Sequence, residues 1–234
     1  MLTDDNFATI VGAVEEGRTL YDNIGKFLRF QLSTNFGAVL CVLTAPLLGL
    51  PLPFTPIQIL WVNLIMDGPP AMALGVDPAR PGVMRVAPRV RNASMLPIGR
   101  VLRLFVLGSI MAAGTLGVLS HGLDVGSPEY ARTLAFTTLV AFQIFNVFNI
   151  RDESASAFGW QTFANRSLWL ALGAVVALQF LATNWGPAQM AFDTSELSAR
   201  DGFLAACLAA AIVAVEELRK AVARALKRPG ELGA

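Results

Sequence analysis

The amino-acid sequence predicts an all-α fold, a polytopic membrane bundle of six transmembrane helices with a cytoplasmic N-terminal helical extension. Three observations predict it: the chain is apolar, it is poor in charge, and it contains repeated apolar stretches of about membrane-spanning length. Of its 234 residues, 54% are hydrophobic and only 15% are charged, and the mean hydropathy is +0.55. Soluble domains contain about 25% charged residues, so we expect the lipid bilayer to surround most of this chain.

The six crossings are predicted from apolar runs that approach the length needed to cross a hydrocarbon core of about 30 Å. They are expected at residues 27–50, 57–76, 101–120, 133–150, 168–184 and 202–215. Residues 3–6 provide helix-capping side chains ahead of an amphipathic pattern. We therefore expect three regions: a cytoplasmic hinge or stalk helix (1–26), a six-helix transmembrane domain (27–216) and a basic cytoplasmic tail (217–234).

The distribution of basic residues predicts the orientation of the chain. With six crossings both termini lie on one side, and all Lys and Arg residues except Arg132 and Arg200 fall on that side. Because cytoplasmic loops are enriched in Lys and Arg, we expect a multi-pass protein of the cell membrane with both termini in the cytoplasm. The net charge of +1 gives no basic excess for binding phosphates, so we expect no nucleic-acid partner.

The second predicted crossing contains the polar pair that most needs an explanation. Asn63 and Asp67 are four residues apart, so their side chains project from one helical face, one turn above the other. An ionised Asp at the centre of a membrane helix costs about 2.5–3.5 kcal/mol. Hydrogen bonds between membrane helices contribute only about 0.6 kcal/mol each, so helix association alone is the weaker explanation, and the pair is a candidate cation site.

Two prolines that follow this pair strengthen the prediction. Pro69 and Pro70 cannot donate backbone hydrogen bonds to the residues four before them, which releases the carbonyls of Ile65 and Met66. Free carbonyls at membrane depth are tolerated only where protein, water or an ion satisfies them. Carboxylate, amide and carbonyl oxygens together suit a hard cation.

Other polar residues in the predicted crossings have open interpretations. Asn35 could face the same cavity, whereas its neighbours Ser33, Thr34 and Gly37 are at least as consistent with close helix packing. The fourth crossing contains polar residues at three-residue spacing along one stripe, so that face points into the bundle. These residues, whose contacts could be structural, interfacial or site-lining, are Gln143, Asn146 and Asn149.

Two long segments resemble one known family. The runs "LTDDNFATIVGAVEEGRTLYDNIGKFLRFQLSTNFG" and "IQILWVNLIMDGPPAMALGVDP" are similar to the hinge helix and the fifth and sixth transmembrane helices of calcium-type P-type ATPases. The remaining four crossings fit that family's last four helices in number and orientation. The resemblance implies that 27–216 is a cation-transport domain and that Asn63 and Asp67 bind the transported ion.

The resemblance also implies a reduced set of ion ligands. Asn35 matches an asparagine ligand, but Ala38 and Met66 stand where two-ion pumps have a glutamate and a threonine, and Gln143 stands where they have a glutamate. The run "NLIMDGPPA" is more similar to secretory-pathway calcium and manganese pumps. We therefore expect one ion per cycle, Ca²⁺ or Mn²⁺, with Asn63 and Asp67 as its main ligands and Asn35 and Gln143 as further candidates.

The chain lacks the family's "DKTGT" phosphorylation motif, its ATP-binding and actuator domains and its first four helices. On its own we expect it neither to hydrolyse ATP nor to pump, and we expect ATP and Mg²⁺ to act only through those missing partners. Two alternatives remain open. The chain could be a stand-alone six-helix subunit or truncated product without pumping activity, or a fragment of a pump for protons or another monovalent cation.

Overall fold

The computed structural model describes residues 7–66, 68–87, 94–151 and 163–226, and all regular structure within these ranges is helical. The predicted all-α membrane bundle is confirmed. The predicted capping residues 3–6 and the end of the basic tail lie outside the described residues. In chain order, the helices are α1 (Phe7–Leu47), α2 (Pro56–Trp61), a π-helix (Val62–Met66), α3 (Pro69–Gly75), a 3₁₀ turn (Val83–Arg85), α4 (Ile98–Val125), α5 (Pro128–Arg151), α6 (Arg166–Asn184), α7 (Gly186–Phe192) and α8 (Ala199–Leu226).

Most of the predicted crossings coincide with long helices. Within the described ranges, four helices are long and apolar enough to cross a membrane, namely α1, α4, α5 and α6. The predicted crossing at 57–76 instead coincides with the broken run of α2, the π-helix and α3, none of which is long enough by itself. The predicted crossing at 202–215 lies inside α8, a 28-residue helix whose second half is rich in charged residues.

The predicted N-terminal extension and the first crossing form one uninterrupted helix. At a rise of 1.5 Å per residue, the 41 residues of α1 extend for about 60 Å, about twice the thickness of a hydrocarbon core. The expected boundaries after residues 26 and 216 therefore fall inside α1 and α8.

Helix α5 lies at the centre of the bundle and packs against α1, α4, α6 and α8. Its apolar side chains are buried along almost its whole length because other helices cover it on several sides. A separate buried ion pair joins α4 to α8. Glu216 on α8 accepts hydrogen bonds from Arg103 on α4 and from Arg219 on its own helix. The largest apolar cluster around α5 includes Cys41, Met66, Met111, Leu139, Phe136, Phe142 and Ile212.

Helices α1 and α4 approach each other closely because glycine faces glycine across their contact. A methyl group added at Gly108 would lie 2.6 Å from the Cβ of Phe36 and 2.9 Å from the backbone nitrogen of Gly37. One added at Gly37 would lie 3.2 Å from the Cβ of Met111. Small residues allow such backbone contact between membrane helices. The packing interpretation of Gly37 is therefore confirmed.

We expect Gly108→Ala to destabilise the chain, since the new methyl group has to push α1 and α4 apart, and overpacking of this kind costs about 1–3 kcal/mol. Gly117→Ala in the same helix is the matched control, because a methyl group there meets nothing within 4 Å and alanine favours helix by about 0.5–1 kcal/mol. Thermal unfolding in detergent should show a lower midpoint for Gly108→Ala only. Equal midpoints for the two variants would contradict the close contact.

Candidate cation site

The broken second crossing begins at the end of the bundle where α1 also ends, which we call the far end. Its first helix, α2, has a well-formed N-terminal cap. Thr55 accepts a hydrogen bond from the backbone of Gln58, and the Gln58 side chain accepts one from the backbone of Thr55. Pro56 occupies the first turn, where its missing N–H has no cost. These local signals fix where α2 begins, six residues before the π-helix that contains Asn63.

The helix is interrupted where the two prolines were predicted to interrupt it. Regular π-helical structure ends at Met66, and a new helix, α3, begins at Pro69. Because Pro69 is tolerated in a first helical turn but not in a helix interior, the chain restarts its hydrogen bonding at this point. Asp67, the main predicted ligand, lies between the two pieces and outside the described residues.

Gly68 lets the backbone pass close to the preceding helical turn at this interruption. A methyl group added to it would lie 2.6 Å from the backbone carbonyl oxygen of Leu64, well inside van der Waals contact. Any other residue here has to displace either Gly68 or the Leu64 carbonyl. The glycine beside Asp67 is therefore part of what shapes the break.

The predicted site residues do not share one environment. Asn63, on the π-helix, and Asn35, on α1, both have exposed side chains in the described part of the chain. Gln143, on α5, is fully buried. The described residues therefore show the two asparagines at the surface of the bundle and the glutamine in its interior.

The polar stripe of α5 contains two kinds of residue. Asn146 donates a hydrogen bond of 2.8 Å to the hydroxyl of Ser33 on α1, and Asn149 donates one of 3.2 Å to the carbonyl of Ile212 on α8. These two amides hold helices together. Gln143 differs from them because neither its Oε1 nor its Nε2 has a hydrogen-bond partner among the described residues. The Oδ1 atoms of Asn146 and Asn149 also lack partners among the described residues. Because buried polar groups normally have partners, all three side-chain oxygens of this stripe are candidates to face a polar ligand, and Gln143 differs only in that its whole amide is unpartnered.

The far half of the broken crossing is anchored by α6 and α7. The Nε2 of Gln58 donates to the carbonyl of Phe192 at 3.0 Å, and the Nε1 of Trp61 donates to the Oε1 of Gln179 at 3.2 Å. The rings of Trp61 and Phe192 also pack edge to face with centroids 4.7 Å apart. These contacts, which we call the far anchor, fix α2 beside α6 and α7.

The near half is anchored by Asp77, which lies two residues after the end of α3. Its carboxylate accepts hydrogen bonds from Lys26 on α1 (2.6 Å), Arg151 on α5 (2.7 Å) and Asn165 at the start of α6 (2.9 Å). Asn23 on α1 donates to its backbone carbonyl at 2.7 Å. We call this group the Asp77 cluster.

The Asp77 cluster is a buried group of charges. Only 5% of Asp77 and 7% of Lys26 is exposed. Burial by itself raises the pKa of Asp77, but the hydrogen bonds from Arg151 and Lys26 outweigh it and hold that pKa below its ordinary value. The carboxylate is therefore ionised at neutral pH, and it ties the end of α3 to three other helices.

The sequence analysis missed Asp77, although a signal was present. Asp77 is the only acidic residue between Asp67 and Asp124, and it stands in the most basic loop of the chain. That loop also contacts α1 further along, since Arg18 donates to the carbonyls of Val83 (3.0 Å) and Val86 (2.6 Å). A lone carboxylate among many cations is a candidate for a buried ion pair.

The described chain contains no compact group of acidic, histidine or cysteine ligands. Over residues 7–66, 68–87, 94–151 and 163–226, no three His, Cys, Asp or Glu side chains come together as a metal-binding group.

Comparison with known proteins gives the family. Residues 51–222 match the family described as "Cation transporting ATPase, C-terminus". The chain is 37% identical over 230 residues to the calcium-transporting ATPase type 2C member 1 of Homo sapiens, a match that covers 97% of this chain and 25% of the relative. It is 39% identical over 206 residues to a calcium-transporting ATPase of Bacillus subtilis, covering 87% of this chain and 23% of the relative.

A further relative, calcium-transporting ATPase 1 of Schizosaccharomyces pombe, is 36% identical over 222 residues, covering 94% of this chain and 25% of the relative. The chain thus spans about a quarter of the length of the curated relatives it matches. The matched family region includes the broken crossing, Asp77, helices α4 to α7 and most of α8, whereas Asn23 and Lys26 of the Asp77 cluster precede it. The family match covers most of the chain, and the identity to these relatives extends over nearly the whole chain. The chain therefore belongs to the cation-transporting ATPases, of which it is the C-terminal membrane part.

Proposed function

We propose that this chain forms the ion-binding membrane portion of a pump that exports one divalent cation, Ca²⁺ or Mn²⁺, from the cytoplasm in each cycle. Asp67 and Asn63 are its main ligands, and Asn35 and Gln143 are the further ones. The observation that supports this best is the interruption of the second crossing beside Asp67. An interrupted membrane helix frees backbone oxygens at the depth where a transported cation is held.

The choice of cation follows from ligand chemistry and from the relatives. Carboxylate, amide and carbonyl oxygens suit hard divalent cations, and Mn²⁺ accepts the same donors as Ca²⁺. The human and Bacillus subtilis relatives are both named calcium-transporting ATPases. A single ion is proposed because Ala38 and Met66 offer no side-chain oxygen and Gln143 is neutral.

The proposal includes partners that complete the site. Asn35 and Asn63 are exposed together with apolar neighbours such as Val39 and Leu64, as is appropriate for a surface that further transmembrane helices cover. Those helices and the ATP-using cytoplasmic domains, which would bind ATP and Mg²⁺, correspond to the part of the relatives that this chain does not match. The protein then lies in the cell membrane with both termini in the cytoplasm, where residues 1–26 and 217–234 act as stalk and tail.

Fusion of this chain to the remaining N-terminal part of the Bacillus subtilis relative tests the ion site. We expect Asp67→Asn to abolish phosphorylation by ATP that depends on Ca²⁺ or Mn²⁺, because the only carboxylate of the predicted ligand set is lost. Asn63→Ala should weaken the apparent affinity about tenfold, equivalent to about 1.4 kcal/mol.

Asp124→Asn serves as the control for this experiment, since Asp124 is an exposed carboxylate on α4, remote from the break. Unchanged ion affinity in Asp67→Asn would refute the site. Phosphorylation that responds only to protons or a monovalent cation would refute the divalent assignment, and a fusion that is folded but never phosphorylated would favour a chain without pumping activity.

The same fusion tests the role of Gly68. We expect Gly68→Ala to weaken the apparent ion affinity about tenfold, because the methyl group displaces the Leu64 carbonyl and with it the geometry of the break. Gly75→Ala, at the end of α3, is the matched control, since a methyl group there meets nothing within 4 Å. If both variants retain the affinity of the unmodified fusion, the close contact at Gly68 does not shape the site.

A further inference from the structure

Helix α6 runs beside both halves of the broken crossing. At its start, Asn165 donates a hydrogen bond of 2.9 Å to the backbone carbonyl of Ala73 on α3. Gln179 lies about 20 Å further along the same helix, at a rise of 1.5 Å per residue. Its Oε1 accepts a hydrogen bond of 3.2 Å from the indole of Trp61 on α2. One continuous helix therefore contacts the crossing on each side of the break.

The contact on the far side holds the end of α2. Trp61 is the last residue of α2 and directly precedes the π-helix that contains Asn63. Its ring packs edge to face against Phe192 on α7, and its Nε1 donates to Gln179 on α6. Packing and a directional hydrogen bond together fix the ring. An indole held in this way also fixes the rotation of α2 about its own axis.

The amide of Gln179 is held in one orientation by its two partners. An indole N–H can only donate, so the Oε1 of Gln179 faces Trp61. Its Nε2 then faces the other way and donates at 3.3 Å to the hydroxyl of Thr137 on α5. Only 6% of Gln179 is exposed, and leaving a buried amide unpaired is costly. Trp61, Gln179 and Thr137, which we call the indole relay, therefore join α2 to the central helix of the bundle.

The rotation of α2 determines where Asn63 points. Successive helical residues are about 80–100° apart around the axis, so Asn63, two residues after Trp61, projects from nearly the opposite side. Consistent with this, Asn63 is exposed, whereas Val62 and Met66 are buried. With Trp61 held against α6, Asn63 is turned away from α6 towards the open face of the crossing. Only one residue separates the two, so a rotation at Trp61 reaches Asn63 almost undiminished.

We propose that Trp61 and Gln179 are positioning residues for ion binding. With Thr137 they fix the rotation of α2, and with it the direction in which Asn63 presents its amide oxygen. Neither residue touches the ion. The inference rests on the proposed function, in which Asn63 is a ligand, and deepens it by identifying the residues that direct this ligand.

Paired variants separate this positioning from a contribution to folding. Trp61→Phe keeps an aromatic ring against Phe192 but removes the N–H donor, and Gln179→Met keeps a long unbranched side chain but removes the amide. Trp61→Phe leaves the buried Gln179 oxygen without its partner, and Gln179→Met does the same to the indole N–H, so each also costs stability. The double variant removes both groups, and replacing both partners of a hydrogen bond by apolar groups is nearly neutral for folding.

The first measurement compares ion affinity with thermal stability in the fusion with the Bacillus subtilis relative. Both single variants and the double variant should weaken the apparent ion affinity about three- to tenfold, the size expected for one lost hydrogen bond, with maximal phosphorylation per folded molecule unchanged. The double variant should regain a thermal midpoint close to that of the unmodified fusion while its affinity stays weak. Affinity that recovers together with the midpoint would show a folding role alone and overturn the proposal.

Trp185→Phe is the matched control for this comparison. It removes the same indole N–H from a tryptophan at the end of α6 that is 58% exposed. We expect it to change neither affinity nor midpoint. An equal loss of affinity in Trp185→Phe and Trp61→Phe would contradict a specific role of the indole relay.

The second measurement follows α2 directly, in the full chain in lipid nanodiscs. Spin labels are placed on two exposed positions, Leu60→Cys on α2 and Leu170→Cys on α6, in a Cys207→Ser background. We expect a narrow distance distribution for the unmodified relay and for Trp185→Phe, and a broader one for Trp61→Phe, Gln179→Met and the double variant. Unchanged distributions in all three relay variants would overturn the proposal, as would broadened distributions with unchanged ion affinity.

The two measurements distinguish this inference from the proposed function. If the unmodified fusion shows no phosphorylation that depends on Ca²⁺ or Mn²⁺, the proposed function fails, and the spin-label distances still decide whether the indole relay orients α2. If the unmodified fusion works but its affinity is the same in all relay variants, the proposed function stands and the positioning role of Trp61 and Gln179 is refuted.

Discussion

An interrupted helix inside a membrane has to be held by its neighbours, and the rest of this structure depends on that constraint. Lipid offers no hydrogen bonds to the backbone groups that an interruption leaves without partners. Here the neighbours of the break supply fixed contacts on both sides: Gln58 and Trp61 bind α6 and α7, and Asp77 binds α1, α5 and α6. The break is thus confined to a few residues between two well-held ends.

The sequence predicted the elements whose causes are local. Span-length apolar runs located the helices, because a bilayer imposes a minimum length, and Pro69 and Pro70 located the interruption, because each lacks a backbone donor. The Asp77 cluster could not be predicted in this way. Its partners Lys26, Arg151 and Asn165 are separated from Asp77 by 51, 74 and 88 residues, and no local pattern specifies which distant cation a carboxylate meets.

The candidate ligands show the same limit at the level of single side chains. Three-residue spacing placed Gln143, Asn146 and Asn149 on one buried stripe of α5, and all three are buried. The spacing could not show that Asn146 and Asn149 donate hydrogen bonds to neighbouring helices, whereas the amide of Gln143 has no partner in the described part of the chain. Periodicity identifies a face, whereas the partner of each residue depends on which helix lies opposite. Asn35 and Asn63 are exposed in the described chain, and we propose that transmembrane helices of the remaining part of the pump cover them.

The glycine contact between α1 and α4 limits how the bundle can change shape. Where Gly108 meets the backbone at Gly37, the two helices are in direct contact, and the side chains beside this contact, Phe36 and Met111, already lie close to the opposite helix. Sliding one past the other requires their separation first, and close-packed interiors resist it. We therefore expect α1 and α4 to move as one unit, so that any displacement of the long helix also displaces the third predicted crossing.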